Sequence, residues 1–265
     1  MARRKKIDLS GQWALITGAS SGFGIDFAHL LAERGIHLVL VARRAAPMKA
    51  LASELKKLHG VSCLVLPMDL TLQGAANELK DMLDANNIEP EYLLNNAGYG
   101  LFGDFIEQPL ARSQNMLQLN IMALTELTHI FANQMVERGH GRILLVGSLG
   151  SFQPLPTYAA YAASKAYVLS FGEALHIELR DRGVSVTVLC PGPTATSFLE
   201  VSGQDVPVPE SMMMQSRPVA EIGIEAMLAG RSSVVPGLSN RMTAFSNRVL
   251  PRSLIPNVAY RLLKK

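Results

Sequence analysis

The sequence predicts an α/β protein with a Rossmann-type, doubly wound parallel sheet in a three-layer α/β/α arrangement. Short apolar runs alternate with helical patterns six times, and several helical patterns stop at a glycine. Parallel neighbouring strands require such crossover helices. The apolar runs are continuous rather than alternating, which is typical of strands that helices cover on both faces. No linker, repeat or low-complexity stretch divides residues 1–265, so a single domain is predicted.

The elements follow one another in order along the chain. Apolar runs predict strands at residues 13–17, 36–42, 61–66, 92–95, 142–147 and 184–190. Helical patterns between them predict helices at 23–34, 46–58, about 72–86, within 110–137 and near 157–181. The first helix places four apolar residues on one face: Phe23, Phe27, Leu30 and Leu31. Glycine ends three of the helices, at Gly35, Gly60 and Gly183.

After Cys190 the regular pattern ends. Residues 192–217 are predicted to form a mobile segment near a binding site. We expect a substrate lid at about 193–217 and a C-terminal tail at about 237–265. Apolar residues in and before the lid suggest a pocket wall, and packing within the lid explains them equally well: Phe152, Leu155, Phe198, Leu199 and Met212 to Met214.

Composition narrows the class of protein. Hydrophobic residues make up 48% and charged residues 18% of the 265 residues, which fits a buried core and argues against extended disorder. The net charge of +3 is too small to imply a nucleic-acid partner. Cys63 and Cys190 lie in apolar runs and are predicted to be buried thiols. The six histidines lack the spacing of metal ligands, so no metal site is predicted.

The chain ends carry basic residues. No apolar stretch follows the run Arg3-Arg4-Lys5-Lys6, so we expect a cytoplasmic protein without export. The tail mixes leucines with arginines and lysines and could lie on an anionic membrane. Because Pro251 and Pro256 break a continuous helix, docking of the tail on the body or on a second subunit is favoured.

A glycine-rich loop follows the first predicted strand. It reads Thr17-Gly18-Ala19-Ser20-Ser21-Gly22-Phe23-Gly24 and opens directly into a helix. Glycines let the backbone approach a pyrophosphate, and the amides and dipole of the helix attract negative charge. Glycine also serves any tight turn, but this position inside a β–α–β unit favours nucleotide binding.

The end of the second strand indicates which nucleotide binds. An acidic residue there would hold the ribose 2′-hydroxyl of NAD, but the position holds Ala42, followed by Arg43 and Arg44. A guanidinium offers a fork of donors to a 2′-phosphate. The sequence therefore favours NADP, mainly through Arg43, although a solvated charge pair remains the alternative.

Several further motifs occur in a fixed order along residues 10–196. They are Thr17-Gly18-x-x-x-Gly22-x-Gly24, Asp69, Asn95-Asn96-Ala97-Gly98, Asn120, Ser148, Tyr161-x-x-x-Lys165 and Pro191-Gly192. With these motifs the sequence resembles the short-chain dehydrogenase/reductase family, and its loop form and length are similar to those of the shorter, single-domain members. The resemblance implies a homo-oligomer, either a dimer or a tetramer, although the longer tail departs from the minimal pattern.

The predicted catalytic residues are Tyr161, Lys165, Ser148 and Asn120. Tyr161 and Lys165 are four residues apart and share a helix face. An ammonium and a positive nicotinamide would lower the pKa of Tyr161, which could then exchange a proton with a substrate oxygen. Ser148 ends the fifth strand and can donate to that oxygen. The resemblance implies that Lys165 holds the nicotinamide ribose and that Asn120 supports a water relay; a satisfied core amide is the alternative for Asn120. Tyr158 has no lysine four residues on and is not assigned to catalysis.

The resemblance and the loop together assign the cofactor-binding residues. They are Gly18, Ser20, Ser21, Gly22, Phe23, Gly24, Arg43, Asp69, Leu70, Asn96, Ala97, Gly98, Tyr161, Lys165, Pro191, Gly192, Thr194 and Thr196. Asp69 would bond the adenine amine or would cap the following helix. Thr196 matches the hydroxyl that contacts the nicotinamide amide, and Thr194 is the alternative.

These observations predict an NADP(H)-dependent oxidoreductase that moves a hydride between the nicotinamide and a carbonyl or secondary alcohol, with a hydrophobic ketone or aldehyde as substrate. Two other classes stay open: an NADP-binding redox sensor without activity, and an epimerase or dehydratase that retains its nucleotide.

Overall fold

The computed structural model describes residues 9–204, 209 and 212–263, and the side chains of 262 and 263 are not described. The basic run at residues 3–6, residues 205–208, 210 and 211 of the predicted lid, and the last two lysines lie outside the described residues.

The six longer strands agree with the apolar runs to within two residues, and three two-residue strands join them. They are β1 (Trp13–Thr17), β2 (His37–Ala42), β3 (Cys63–Pro67), β4 (Tyr92–Asn95), β5 (Gly141–Val146), β6 (Val184–Leu189), β7 (Thr194–Ala195), β8 (Met214–Gln215) and β9 (Ser233–Val234). Seven of them form one parallel sheet in the order β3-β2-β1-β4-β5-β6-β9, and β7 pairs separately with β8. The sequence did not predict the two-residue strands.

The helices complete three layers. They are α1 (Phe23–Ala32), α2 (Ala45–His59), α3 (Ala75–Ala85), α4 (Leu110–Leu117), α5 (Leu124–Arg138), α6 (Ala159–Arg180), α7 (Phe198–Ser202), α8 (Ser216–Leu228), α9 (Leu238–Val249) and α10 (Leu254–Leu263). The apolar faces of α1, α2 and α8 pack in a core on one side of the sheet. Those of α3, α5 and α6 pack on the other side. The predicted Rossmann-type α/β/α arrangement is confirmed.

The long helix predicted within 110–137 is not continuous. A π-helical segment at Gln118–Ala123 separates α4 from α5. Such an insertion rotates the residues that follow and is frequent at functional sites. The segment contains Asn120, which is fully buried.

The first tail helix, α9, packs on residues 149–152 of the body. Pro251 stands between α9 and α10, as expected of a helix breaker. Pro256, in contrast, lies within the first turn of α10, where a missing amide hydrogen costs no hydrogen bond. The prediction that it breaks the helix is therefore wrong. Among the described residues, no helix is long and apolar enough to cross a membrane.

The topology fixes where a ligand can bind. The strand order reverses at β1 and β4, because β2 and β3 lie on one side of β1 while β4 to β6 lie on the other. A crevice opens at the carboxyl ends of the strands at such a switch point. The glycine-rich loop follows β1, and Asn96 to Gly98 follow β4 at this edge.

Candidate active site

The glycine-rich loop after β1 has a backbone conformation that lets a ligand approach its main chain closely. Gly18 and Gly22 have φ angles of 68° and 52°, a region that side chains disfavour. A Cβ atom at Gly24 would lie 2.2 Å from the carbonyl oxygen of Gly18. Phe23 begins α1 and packs against the core. This cradle, with the amides at the start of α1, fits the pyrophosphate of a dinucleotide.

Arg44, rather than Arg43, contacts the loop. Its Nη2 donates to the carbonyl oxygen and to Oγ of Ser20, at 3.1 and 3.2 Å. Arg43 is also exposed. From the sequence alone, the preference for NADP rests mainly on Arg43. The assignment of Arg43 to the cofactor stays a prediction.

An open cleft runs beside the loop. Its lining includes Ser20, Ser21, Gly22, Arg44 and Thr196. A Cβ atom at Gly22 would lie 3.4 Å from the side chain of Thr196. Thr194, in contrast, is buried and donates to the carbonyl oxygen of Gly192 at 2.9 Å. Thr196 therefore faces the cleft.

The segment after β6 is held by backbone contacts. The carbonyl oxygen of Pro191 accepts a hydrogen bond from the amide of Leu149 at 2.7 Å. A Cβ atom at Gly192 would lie 2.5 Å from the side-chain amide of Asn240. The Asn240 side chain of α9 therefore lies directly against the backbone of this segment.

The residues after β4 tie the central strands together. The Asn96 side chain donates to the carbonyl oxygens of Thr17 and Gly18, at 2.9 and 3.3 Å. The backbone amides of Asn96 and Ala97 both donate to Oγ1 of Thr17, at 3.0 and 2.9 Å. A Cβ atom at Gly98 would lie 2.9 Å from Oδ1 of Asn120 and 3.4 Å from Nζ of Lys165. In the structure, these contacts hold the loop beside the catalytic candidates.

Asp69 neither caps α3 nor stands alone. Its carboxylate accepts from the amide and the hydroxyl of Thr71, at 3.0 and 2.8 Å. The helix begins six residues later, behind Gly74. Cap formation at α3 is therefore excluded. The side chain of the neighbouring Leu70 is buried in the core, so only its backbone could reach a ligand.

Asn120 connects two parts of the site. Its side chain exchanges hydrogen bonds with the backbone of Tyr99, accepting at 3.2 Å and donating at 3.0 Å. It also donates to Oγ of Ser164 at 3.1 Å, and Ser164 donates to the carbonyl oxygen of Tyr161 at 2.7 Å. Asn120 is thus a core amide whose hydrogen bonds are satisfied. Gly98 lies against both Asn120 and Lys165, so the two side chains are close together.

Ser148, Tyr161 and Lys165 come together at the end of β5. Oγ of Ser148 accepts from the amide of Gly150 at 3.0 Å, and its side chain lies beside Tyr161. Nζ of Lys165 donates to the carbonyl oxygen of Val146 at 2.8 Å and lies 5.9 Å from the ring centre of Tyr161. Ser151 holds both segments, since Oγ accepts from the Ser148 amide and donates to the Lys165 carbonyl oxygen.

The two ionisable groups respond to burial in opposite directions. Burial lowers the pKa of Lys165 to about 8, because an ammonium loses hydration in the interior. Burial raises the pKa of Tyr161 above its usual value, although the neighbouring Ser148 side chain works against this. The expected lowering of the Tyr161 pKa is therefore not achieved by the protein's own groups. At neutral pH, Tyr161 is a proton donor.

An aromatic wall adjoins Tyr161. The ring of Phe198 lies 5.2 Å from that of Tyr161, between centroids, and 6.3 Å from that of Tyr158. Phe102 packs on Tyr158 at 5.3 Å. The hydroxyl of Tyr158 is hydrogen-bonded to Ser202, at 2.9 Å, and to Gln204. Tyr158 therefore anchors α7, whereas Phe198 is the lid residue that reaches Tyr161.

Other apolar candidates are dispersed. Phe152 packs against the core, and Met212 is 60% exposed. The sulfur of Met214 lies 3.3 Å from the Asn240 amide at the base of α9. Of the predicted wall, Phe198 lies against a catalytic candidate, Tyr161.

Sequence reasoning missed several residues that shape the site. Tyr99, Ser151 and Ser164 act through hydrogen bonds across the fold, and no local spacing marks them. Asn115 joins Tyr99 to Thr71, at 2.9 and 3.2 Å. The described residues contain no group of three histidine, cysteine or carboxylate side chains that could hold a metal.

Comparison with known proteins agrees with this geometry. The model of the short chain dehydrogenase family matches residues 12–206. Human 17-beta-hydroxysteroid dehydrogenase type 3 is 30% identical over 252 residues, covering 91% of the chain and 80% of that protein. Very-long-chain 3-oxoacyl-CoA reductase of Phaeosphaeria nodorum is 31% identical over 219 residues, covering 80% of the chain and 64% of that protein.

A solved structure gives the same result for the fold. The short-chain dehydrogenase from Sphingobium yanoikuyae in complex with NADPH superposes with a TM-score of 0.82 and is 32% identical, covering 90% of this chain and 93% of that chain. Because the family model spans most of the sequence, the protein belongs to the short-chain dehydrogenase/reductase family of oxidoreductases.

Proposed function

We propose that the protein is an NADP(H)-dependent oxidoreductase that interconverts a hydrophobic ketone or aldehyde and its alcohol. The observation that carries the proposal is the grouping of Ser148, Tyr161 and Lys165 beside the glycine-rich loop. A binding protein that only senses NADP would need the loop but not a buried lysine next to a tyrosine.

The side chains divide the chemistry between them. A bound nicotinamide dinucleotide supplies the hydride in reduction and accepts it in oxidation. The hydroxyl of Tyr161 gives its proton to the carbonyl oxygen as negative charge develops there. Ser148 donates a hydrogen bond to the same oxygen. The ammonium of Lys165 stabilises the phenolate that remains on Tyr161. In oxidation the same groups work in reverse.

The preference for NADP rests on Arg44 together with Arg43. Arg44 lines the cleft beside Ser20 and Ser21, and no acidic residue stands at the end of β2. A carboxylate there would repel a 2′-phosphate, whereas a guanidinium donates to it. The NADPH in the structural relative supports this choice.

The preference for a hydrophobic substrate rests on the aromatic wall. Phe198 lies against Tyr161, so a substrate whose oxygen meets Tyr161 contacts an apolar ring. The names of two relatives, a hydroxysteroid dehydrogenase and a very-long-chain 3-oxoacyl-CoA reductase, support a bulky or long apolar substrate.

The experiment follows NADPH and NADH oxidation with ketones and aldehydes of increasing apolar size. We expect NADPH to be preferred and kcat/KM to rise with apolar size. Arg44→Gln should raise the KM for NADPH by roughly 10-fold while leaving that for NADH nearly unchanged, because one charged hydrogen bond contributes about 1.5–3 kcal/mol. Lys49→Gln, an exposed cation on α2, is the matched control.

Different outcomes separate the alternatives. A clear preference for NADH would contradict the role of the two arginines. Tight NADPH binding without turnover of any carbonyl compound would favour the sensor. Conversion of a substrate without net consumption of NADPH would identify an epimerase or dehydratase.

A further inference from the structure

The tail helices expose an apolar stripe. Four large side chains of α9 recur at three- and four-residue spacing and share one face: Leu238, Met242, Phe245 and Val249. They are between 57% and 75% exposed. Leu250, Leu254 and Val258 continue the exposed set into α10. These seven residues account for a large part of the 17 exposed large apolar side chains among the described residues, although they occupy only residues 238–258.

The opposite face of each helix is already occupied. Ala244 of α9 is buried, and Asn247 of α9 donates to Gln153 at 3.3 Å. Ile255 and Ala259 of α10 are buried as well. Helix α9 therefore rests on the body through one face, α10 buries Ile255 and Ala259, and the large apolar side chains of the stripe stay exposed on both helices.

The stripe lies in the most basic part of the chain. Residues 226–265 contain seven arginines and lysines and no aspartate or glutamate. The rest of the chain holds 18 basic against 22 acidic residues, so positive charge is concentrated at this end. Arg241, Arg248 and Arg252 are exposed beside the stripe.

We infer that α9 and α10 form a docking surface for an anionic lipid membrane. An exposed apolar stripe flanked by arginines matches a helix lying in the interface plane, with apolar side chains among the acyl chains and guanidinium groups at the phosphates. The charge argues against a second copy as the occupant, because a symmetric interface would bring two equally basic surfaces together.

The surface is adjacent to the site. Helix α9 packs on residues 149–152, which directly follow Ser148. Its Asn240 lies against Gly192 after β6. A membrane under this helix would therefore lie close to Ser148, where the proposed function places the substrate oxygen.

The test measures binding of the purified full chain to vesicles by sedimentation, so it does not depend on activity. We expect binding to vesicles of equal parts phosphatidylcholine and phosphatidylglycerol, little binding to phosphatidylcholine alone, and release at about 0.5 M NaCl, where exposed charges are screened. The variant Phe245→Gln/Val249→Gln should bind roughly 10-fold or more weakly. Arg248→Gln/Arg252→Gln should bind roughly 10- to 30-fold more weakly.

A matched variant on α2, Lys57→Gln/Leu58→Gln, also removes one exposed cation and one exposed leucine and should bind like the wild type. Circular dichroism confirms that each variant is folded. Equal binding by wild type and both tail variants would overturn the proposal. The proposal would also be overturned if the wild type did not bind anionic vesicles but formed a dimer, and if Phe245→Gln/Val249→Gln dissociated that dimer. The stripe would then belong to a subunit interface.

Discussion

Replacement of Lys165 by methionine should change how stability depends on pH. Lys165 is 5% exposed, and burial lowers its pKa from 10.5 to about 8. The unfolded chain therefore holds this proton up to a higher pH than the folded chain does. Stability rises with pH wherever the unfolded state binds more protons, so Lys165 makes the folded protein more stable as pH rises from about 8 to about 10.5.

The magnitude follows from the pKa difference. One pKa unit corresponds to about 1.36 kcal/mol. Between pH 7 and pH 10, the free energy of unfolding of the wild type should therefore rise by about 2.5 kcal/mol relative to that of Lys165→Met. The carbonyl of Val146, which loses its partner in the variant, contributes a constant that does not vary with pH.

The assay is urea unfolding of both proteins at several pH values, with the difference in free energy plotted against pH. Burial raises the pKa of Cys63 to about 11 and that of Cys190 to about 12, and these thiols titrate in both proteins, so their effect largely cancels in the difference. A difference that is flat from pH 7 to pH 10 would refute the account of a buried, easily deprotonated Lys165.

Two further substitutions test the parts of the site that hold the cofactor and the catalytic group. Gly24→Ala should weaken NADPH binding, measured by fluorescence titration, by roughly 10-fold or more, since its Cβ would lie 2.2 Å from the carbonyl oxygen of Gly18. Unchanged affinity in a folded variant would contradict the claim that this loop binds the pyrophosphate. Asn120→Leu should lower the free energy of unfolding, measured in urea, by about 2–4 kcal/mol, because it leaves the backbone of Tyr99 unpaired in the interior. A loss below 0.5 kcal/mol, roughly that of a surface change, would contradict this role.

The sheet was predictable because its strands are buried on both faces. Short continuous apolar runs such as those of β1 and β2 are typical of buried parallel strands. The glycines at 35 and 60 mark where the preceding helices stop. The two-residue β9 carries no such pattern. Helix α8 was missed although Val219, Ala220, Gly223, Ile224 and Met227 repeat at helical spacing and are buried, a signal that the irregular residues before it obscured.

The parts of the site that depend on residues close together in sequence were predictable. The parts that depend on contacts between distant segments were not. Tyr161 and Lys165 share a helix turn, so their proximity follows from spacing alone. The π-helical segment at Asn120 changes the face of a helix by one residue, which a 3.6-residue pattern cannot reveal. The pKa of Tyr161 depends on how deeply the ring is buried, and which arginine reaches Ser20 depends on the direction of the chain after β2.

The most direct test of the central claim compares NADPH oxidation by the wild type, Tyr161→Phe and Tyr158→Phe with the best ketone of the panel. We expect kcat to fall by roughly 10²–10⁴-fold in Tyr161→Phe, the range for losing a general acid. Tyr158→Phe, which removes a hydroxyl bonded to Ser202 and Gln204, should retain turnover within about 10-fold of the wild type, because its hydroxyl takes no part in proton transfer. Wild-type turnover by Tyr161→Phe would contradict the claim that Tyr161 supplies the proton.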